Sequence, residues 1–282
     1  LTPVVGRFNR KILGWFISVI LGLTLGITIL MAIQILTNGP MIYVFGGSDA
    51  GLTLPSGYTV PIRIIFHIDG MGIFMGLITA VVSFLAAIYS LSFMQKESGL
   101  EKYYALLLLL ATGMFGMEFT GDIFNFFVFL EIASISSVAL IAFRSTFAGE
   151  PAEAGFKYMV VSSISALMVL FAVGLFYGQY DVLNMATIAS VMQFTQLDKI
   201  ALILLVTVLS MKAGSVPMHM WTPDAYSEAP AAITMVLVAA SQASLYALFR
   251  VSFSLYNISL NTVTIGWIII ILGVLSMFIG VT

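Results

Sequence analysis

The chain has 282 residues, of which 60% are hydrophobic and 9% charged, and its mean hydropathy is +1.09. Water-soluble domains of this length do not reach such values, whereas membrane proteins with several spanning helices do. The formal net charge of −2 gives no reason to expect nucleic-acid binding. The absence of cysteine excludes disulfides, iron–sulfur clusters and thiolate zinc sites made by this chain alone, and no motif in it predicts a cofactor.

Eight apolar segments are long enough to cross a bilayer as helices, which takes about 20 residues each. They are Ile12–Leu36, Gly70–Met94, Tyr103–Phe119, Ile123–Phe143, Ala154–Tyr177, Lys199–Trp221, Ala231–Leu255 and Val263–Val281. We therefore predict an all-α polytopic membrane protein with a single membrane domain, residues 1–282. We interpret the sequence as a portion of a longer chain.

Two connecting segments differ in character from the spans. Residues 37–69 are rich in glycine and proline and alternate in stretches such as TVPIRIIFHID, which predicts a β-hairpin at the membrane surface. Residues 181–197 are too polar to span, but Met185, Ile188 and Met192 recur at helical spacing. This spacing predicts a short interfacial helix.

The basic residues divide unequally between the two sides of a membrane crossed by eight alternating spans. One side has Arg7, Arg10, Lys11, Lys96, Lys102, Arg144 and Lys157, and the other has Arg63, Lys199 and Arg250. Basic residues concentrate in cytoplasmic loops. We therefore expect a plasma or inner membrane protein in which the N-terminus of this segment faces the cytoplasm.

Two opposite charges lie deep inside predicted spans. At about 1.5 Å per residue, Glu131 lies about 12 Å into the fourth span and Lys212 about 20 Å into the sixth. A charge at this depth costs at least about 2–3 kcal/mol, so both side chains should face the protein interior and pair with each other. Two interpretations stay open: a titratable site for ion translocation, or a structural ion pair that ties two helices together.

The sixth span is also predicted to break next to Lys212. Gly214 and Pro217 follow the lysine, and a proline lacks the amide that would bond the carbonyl of Ala213. Freed backbone acceptors at membrane depth are tolerated where they line a wet cavity or are covered by protein. The pattern predicts a broken helix at Lys212–Pro217.

Other polar residues are open to a functional and a structural interpretation. Lys157 is a few residues into its span, so it is either functional or extends its ammonium to the interface. His219 titrates near neutrality and is either functional or simply hydrogen-bonded. We expect Glu118 and Asp122 to be solvated loop acids, and Arg250 to be an anchor at the membrane interface.

Three segments carry a resemblance to a known family. GDIFNFFVFLEIASISSVALIAF (Gly121–Phe143) and MKAGSVPMHMWTPDAYSEAPAAITM (Met211–Met235) resemble the antiporter-like subunits shared by respiratory complex I, Mrp-type cation/proton antiporters and energy-converting membrane-bound hydrogenase complexes. AGFKYMVVSSISALMVLFAVGLFYG (Ala154–Gly178) is most similar to the Mrp and hydrogenase members. The resemblance implies a fourteen-helix fold with two inverted five-helix repeats, of which this chain would hold helices two to nine and the whole first repeat.

The resemblance also implies roles for individual residues. Glu131, Lys157 and Lys212 match the glutamate and two lysines of the family's ion path, and His219 matches the histidine after its helix break. Gln242 departs from the pattern, because many pumping members have lysine there. We expect Gln242 either to order water beside Lys212 without carrying a proton or to form hydrogen bonds between helices.

The function implied by the resemblance is translocation of protons, sodium ions or both. The chain would not be an enzyme by itself. It would be a transport subunit of a respiratory or hydrogenase-type complex in the bilayer, with other membrane subunits, including antiporter-like ones, as partners. The alternative is a structural subunit of a membrane arm that anchors partner chains and does not pump.

Overall fold

A computed structural model describes residues 2, 6, 10–45, 52–53, 59–60, 64–95, 97–144, 149–256 and 263–281. The described part is mainly helical, in agreement with the predicted fold class. Its helices are α1 Arg10–Asn38, α2 Gly70–Phe93, α3 Leu100–Phe119, α4 Ile123–Ile141, α5 Glu150–Tyr180, α6 Met185–Val191, α7 Gln196–Lys212, α8 Thr222–Glu228, α9 Ala231–Phe249 and α10 Val263–Val281. A 3₁₀ turn, Ala142–Arg144, extends α4, and a π-helical segment, Arg250–Leu255, extends α9.

Five described helices are long and apolar enough to cross a membrane, compared with the eight predicted spans. They are Ile12–Asn38, Gly70–Phe93, Ile123–Arg144, Glu150–Tyr180 and Ala231–Leu255. The other three predicted spans are not among these five helices, each for a different reason. Helix α3 carries Glu101, Lys102 and Glu118, α7 stops after 17 residues, and the apolar part found in α10 is limited to Ile270–Ile279.

The segment predicted to be a hairpin contains two antiparallel strand pairs. Strand β1 (Met41–Val44) pairs with β4 (Ile65–Ile68), and β2 (Leu52–Thr53) pairs with β3 (Thr59–Val60). Strand β4 also holds the turn between α3 and α4, because the Gly121 amide donates to the Ile65 carbonyl at 2.8 Å. We call this end of the bundle, with β4, the start of α2 and the α3–α4 turn, the hairpin end.

Helix α6 lies within the second predicted connector and also packs at the hairpin end. The Asn184 side chain caps it by accepting the Thr187 amide at 3.1 Å. The Met185 amide donates to the Gly121 carbonyl at 2.9 Å, which ties the start of α6 to the α3–α4 turn.

Small residues bring α3 and α4 close together. A Cβ at Gly113 would lie 2.7 Å from the Ala133 amide, and one at Gly116 would lie 2.0 Å from the Phe129 ring. The two antiparallel helices therefore touch at these levels. Their contact fixes which residues of α3 lie level with which residues of α4.

Candidate functional site

The end of α7 has a hydrogen-bonding pattern that requires glycine. Gly214 has φ +74°, in the left-handed region that side chains with a Cβ disfavour. Its amide donates to the Met211 carbonyl at 3.2 Å, and the Ser215 amide donates to the Ser210 carbonyl at 3.0 Å. These two bonds form a Schellman motif, which satisfies helix-end carbonyls and stops α7 at Lys212.

The break predicted at Lys212–Pro217 is present, but its local cause differs from the prediction. We expected the missing amide of Pro217 to interrupt the helix. The chain has already left the helical path at Gly214, three residues earlier. A Cβ on Gly214 would also lie 2.8 Å from Oγ1 of Thr222, at the start of α8. Glycine is therefore needed there for both conformation and space.

Lys212 is the last residue of α7 and is only 3% exposed. Its ammonium donates a hydrogen bond of 2.5 Å to Oγ of Ser134 on α4. The same nitrogen lies 5.5 Å from the centre of the Tyr158 ring, within the range of a cation–π contact. The carboxyl end of a helix carries partial negative charge, which further stabilises a cation at this position.

Glu131 lies on the same helix as Ser134 but does not contact Lys212. Among the described residues, the ion pairs with nitrogen–oxygen distances up to 4.0 Å do not include Glu131 with Lys212. The two charges are close enough to attract each other through space. Oε1 of Glu131 is buried and has no hydrogen-bond partner in the described structure. In this state a hydroxyl, and not a carboxylate, holds the ammonium.

A small cavity adjoins Lys212. Its volume of about 10 Å³ is roughly the space that one water molecule requires. The polar residues that line it are Ser134, Ser137, Tyr158, Lys212, Ser241 and Ser244. Ser241 also shares a hydrogen bond of 2.5 Å with the Tyr226 hydroxyl. Hydroxyl groups from α4, α5 and α9 thus meet at the buried ammonium, and each can donate or accept a hydrogen bond.

Lys157 lies away from this cavity, at the end of the bundle opposite the hairpin end. Its side chain is 48% exposed, and its ammonium contacts Oδ2 of Asp224 at 2.6 Å and Oε1 of Glu153 at 2.9 Å. Asp224 is on α8, directly after the helix break. The lysine therefore ties α5 to the segment that follows the break.

The remaining predicted residues are not in contact with Lys212. His219 is half-buried between the break and α8, and its Nδ1 is buried without a hydrogen-bond partner in the described part of the chain. Gln242 is exposed on α9 and does not line the cavity. Its neighbour Ser241 occupies the inward position where we expected the glutamine.

Sequence reasoning missed a cluster at the hairpin end. Arg250 is 8% exposed, so it is not the interface anchor that we expected. It forms an ion pair with Asp69 and bonds Nδ1 of His67 at 2.9 Å. Asp69 also caps α2 by accepting the Gly72 amide at 2.8 Å. We call His67, Asp69 and Arg250 the hairpin-end cluster; the capping aspartate before α2 was its one sequence signal.

The interactions within this cluster change the proton affinity of two groups outside the spans. Burial and the Arg250 guanidinium lower the pKa of His67 below its usual value of 6.5. Burial alone would raise the pKa of Asp69, but the Gly72 amide and Arg250 together hold it below its usual value of 3.8. Both lowered pKa values favour the deprotonated forms, so the cluster consists of a neutral His67 imidazole, an Asp69 carboxylate and the Arg250 guanidinium.

Glu118 also differs from expectation. We expected a solvated loop acid, but the residue is 1% exposed, because the hairpin and α9 cover the end of α3. The described residues contain no group of three or more His, Asp or Glu side chains arranged to hold a metal ion. The candidate site consists of the buried Lys212 ammonium and the hydroxyl groups that line its cavity.

Comparisons with known proteins agree with the resemblance seen in the sequence. A family model described as "NADH:quinone oxidoreductase/Mrp antiporter, TM" matches residues 120–282. A second, described as the N-terminus of chain 5 of NADH-ubiquinone oxidoreductase (complex I), matches residues 55–104.

Two curated relatives are both NADH-quinone oxidoreductase subunit N. The protein from Desulforudis audaxviator is 34% identical over 202 residues, which cover 70% of this chain and 40% of the relative. The protein from Desulforamulus reducens is 29% identical over 283 aligned positions, which cover 98% of this chain and 54% of the relative. The chain thus spans about half the length of these relatives.

Two solved structures share the fold. A chain of the membrane-bound sulfane sulfur reductase, an archaeal respiratory membrane complex, is 34% identical with a TM-score of 0.79, over 92% of this chain and 51% of that one. A chain of the Mrp complex from Dietzia sp. DQ12-45-1b is 23% identical with a TM-score of 0.78, over 91% and 46%. Since the first family model covers more than half of the sequence, the chain belongs to the NADH:quinone oxidoreductase/Mrp antiporter family of membrane subunits.

Proposed function

We propose that this chain is an ion-translocating part of a membrane subunit, with Lys212 as its central titratable group. The observation that carries the proposal is a buried ammonium held by a hydroxyl, at a helix break and beside a cavity of water size. A buried charge without a contacting counter-charge is costly and marks an ion path in membrane proteins. Because none of the described carboxylates contacts its ammonium, Lys212 can alternate between ammonium and amine.

Ser134 and Glu131 both affect the charge of Lys212, in different ways. The Ser134 hydroxyl accepts a hydrogen bond from the ammonium and can donate one to the amine, so it serves both forms. Glu131 lies one helical turn before Ser134 on α4. As a carboxylate it carries the opposite charge, so its approach would stabilise the Lys212 ammonium. A partner subunit that changes the distance between Glu131 and Lys212 would thereby load or unload the lysine.

The other family positions have supporting roles in the proposal. Lys157 and Asp224 position the segment after the break, and His219 is a further member of the ion path between the break and α8. Gln242 is exposed on α9, and there it orders water without carrying a proton.

The finer architecture is part of the same proposal. The chain would contribute eight spanning helices, including the first of two inverted repeats, with its N-terminal end in the cytoplasm. The relatives are named as subunits of NADH-quinone oxidoreductases and as parts of an Mrp complex and an archaeal respiratory complex. We infer that this chain likewise works among other membrane subunits, moving protons, sodium ions or both. The alternative remains a structural subunit whose charges only hold helices together.

Lys212→Met in the assembled complex tests the proposal. Proton or sodium uptake into vesicles should be lost, since a thioether cannot titrate, while assembly is kept because the side chains are similar in size. Lys199→Met is the matched control, because Lys199 is exposed on the same helix. Full uptake by Lys212→Met would favour the structural alternative. Repeating the assay in sodium-free medium separates the two ions.

A further inference from the structure

Glu118 is a buried acid that the proposed mechanism does not yet use. It lies in the last turn of α3 and is 1% exposed. Its Oε1 accepts a hydrogen bond of 2.6 Å from Oγ1 of Thr79, while its Oε2 is buried without a partner. Among the ion pairs of the described residues, none involves Glu118.

The surroundings of this carboxyl group suit a neutral acid. It faces the small residues of α2, and a Cβ at Gly76 would lie 3.8 Å from Oε2. One turn after Thr79, Oγ of Ser83 is also buried without a partner in the described structure. A buried carboxylate without a paired cation is far more costly than a carboxylic acid, so the group is most stable with a proton bound.

Towards the middle of the bundle, the neighbours of Glu118 reach the Lys212 cavity. Met117, the preceding residue, lines that cavity. Because Gly116 packs on Phe129, Glu118 is level with about residue 127 of antiparallel α4. Ser134 is seven residues further along α4, so the axial separation is about 10 Å at about 1.5 Å per residue.

Towards the surface, Glu118 adjoins the hairpin-end cluster. The Tyr246 hydroxyl donates to the Glu118 carbonyl at 2.9 Å. A Cβ at Gly72 would lie 3.0 Å from that carbonyl, 3.3 Å from the Tyr246 hydroxyl and 3.3 Å from Oδ1 of Asp69. The backbone carbonyl of Glu118 is therefore close to the Tyr246 hydroxyl and to Asp69, the member of the hairpin-end cluster that caps α2.

We propose that Glu118 is a second proton-exchange site, placed between the Lys212 cavity and the hairpin-end cluster. The neutral acid releases its proton to water at the hairpin end. The resulting carboxylate is then reprotonated by the Lys212 ammonium through intervening water, which leaves Lys212 as the amine until it takes up the next proton. One proton moves per cycle, and Glu118 returns to its starting form. The short-lived carboxylate is stabilised by the hydrogen bond from the Thr79 hydroxyl. This inference rests on the proposed function of Lys212 and extends its path to the hairpin end.

Infrared spectroscopy of the assembled complex tests the protonation state separately from transport. The carbonyl stretch of a protonated carboxyl group lies clear of the amide bands and shifts in D₂O. Glu118→Gln, which keeps the shape and the acceptor for Thr79, should remove one such band. Glu150→Gln is the matched control, because Glu150 is exposed at the opposite end of the bundle and should contribute no such band.

Proton uptake by the same variants tests the role in transport. We expect Glu118→Gln to lower uptake at least tenfold and Glu150→Gln to leave it unchanged. An unchanged infrared spectrum in Glu118→Gln would overturn the neutral-acid assignment, and normal uptake would overturn the place of Glu118 on the path. If both Glu118→Gln and Lys212→Met transport normally, the proposed function fails as well. If Lys212→Met loses uptake while Glu118→Gln keeps it, only the role of Glu118 is refuted.

Discussion

Lys212 and Arg250 are both buried cations, but their surroundings differ. Arg250 contacts the carboxylate of Asp69 and a nitrogen of His67, so its charge is matched by direct contacts. Lys212 contacts the hydroxyl of Ser134 and the face of an aromatic ring, while the acid on the neighbouring helix stays out of contact. Burial alone does not distinguish the two residues, because Arg250 is 8% exposed and Lys212 is 3% exposed.

The difference teaches that the partner of a buried charge indicates its role better than its burial does. A guanidinium bonded to a carboxylate stays charged and joins two elements, here the π-helical segment and the cap of α2. An ammonium bonded to a hydroxyl is held in place while remaining able to lose its proton. The hairpin-end cluster accordingly joins two elements of the fold, and under the proposed function the Lys212 site is where charge changes.

Replacing Arg250 or Lys212 with methionine should give the largest difference between the two sites, because one change affects stability and the other affects ion uptake. Arg250→Met leaves Asp69 partly buried without its cation. We expect a loss of about 2 kcal/mol in stability, below the roughly 3–5 kcal/mol of a fully buried pair, because Asp69 keeps 27% exposure. Lys212→Met should abolish ion uptake with little or no loss of stability. Thermal unfolding in detergent and vesicle uptake measure the two effects, and equal destabilisation by both variants would refute the contrast.

Gly214→Ala should weaken the break that presents Lys212. The left-handed conformation costs a residue with a Cβ about 1–2 kcal/mol, and the contact with Thr222 adds to this. Gly174→Ala is the control, because a Cβ at Gly174 in α5 meets nothing within 4 Å and alanine favours a helix. Unfolding midpoints should fall for Gly214→Ala and stay or rise for Gly174→Ala. A fall of the same size in both variants would show that the left-handed turn is unimportant.

The two neighbours on α9 offer a finer test of the cavity. Ser241→Ala removes a lining hydroxyl and leaves the Tyr226 hydroxyl without its partner, so we expect ion uptake to fall several-fold. Gln242→Ala alters an exposed position and should reduce uptake less. Initial uptake rates at matched expression compare them. A larger loss in Gln242→Ala would mean that the glutamine, and not the serine, serves the ion path.

The pH dependence of stability should report the hairpin-end cluster. His67 has a lower pKa in the folded protein than when unfolded, so the unfolded chain binds more protons and stability is lost as pH falls below 6.5. The lowered pKa of Asp69 adds a second loss below 3.8. His67→Gln should remove the first loss and keep the second. Unfolding midpoints across acidic pH measure this, and an unaltered profile in His67→Gln would contradict the assignment.

The sequence predicts the helical membrane fold well, because apolar composition and length decide which segments can cross a bilayer. It predicts side-chain partners less well, because these depend on which helix faces meet. Glu131 and Ser134 are three residues apart and share a face of α4, so spacing alone does not say which of them meets Lys212. Helix α9 is apolar on most sides, so its sequence gives no sign that Ser241 points inward and Gln242 outward. Glu118 and Arg250 lie near the ends of predicted spans, where charged side chains are ordinarily expected to be solvated.

One hydrogen bond links the break to a helix much later in the chain. The Val216 amide donates to Oγ of Ser276 on α10 at 3.1 Å, and that hydroxyl donates to the Leu272 carbonyl at 2.8 Å. Hydrogen exchange at the Val216 amide should be faster in Ser276→Ala, because the substitution removes the hydroxyl that accepts its hydrogen bond. The consequence is that α10 is bonded directly to the segment between α7 and α8. We expect a displacement of α10 to shift the backbone at Val216, four residues from Lys212.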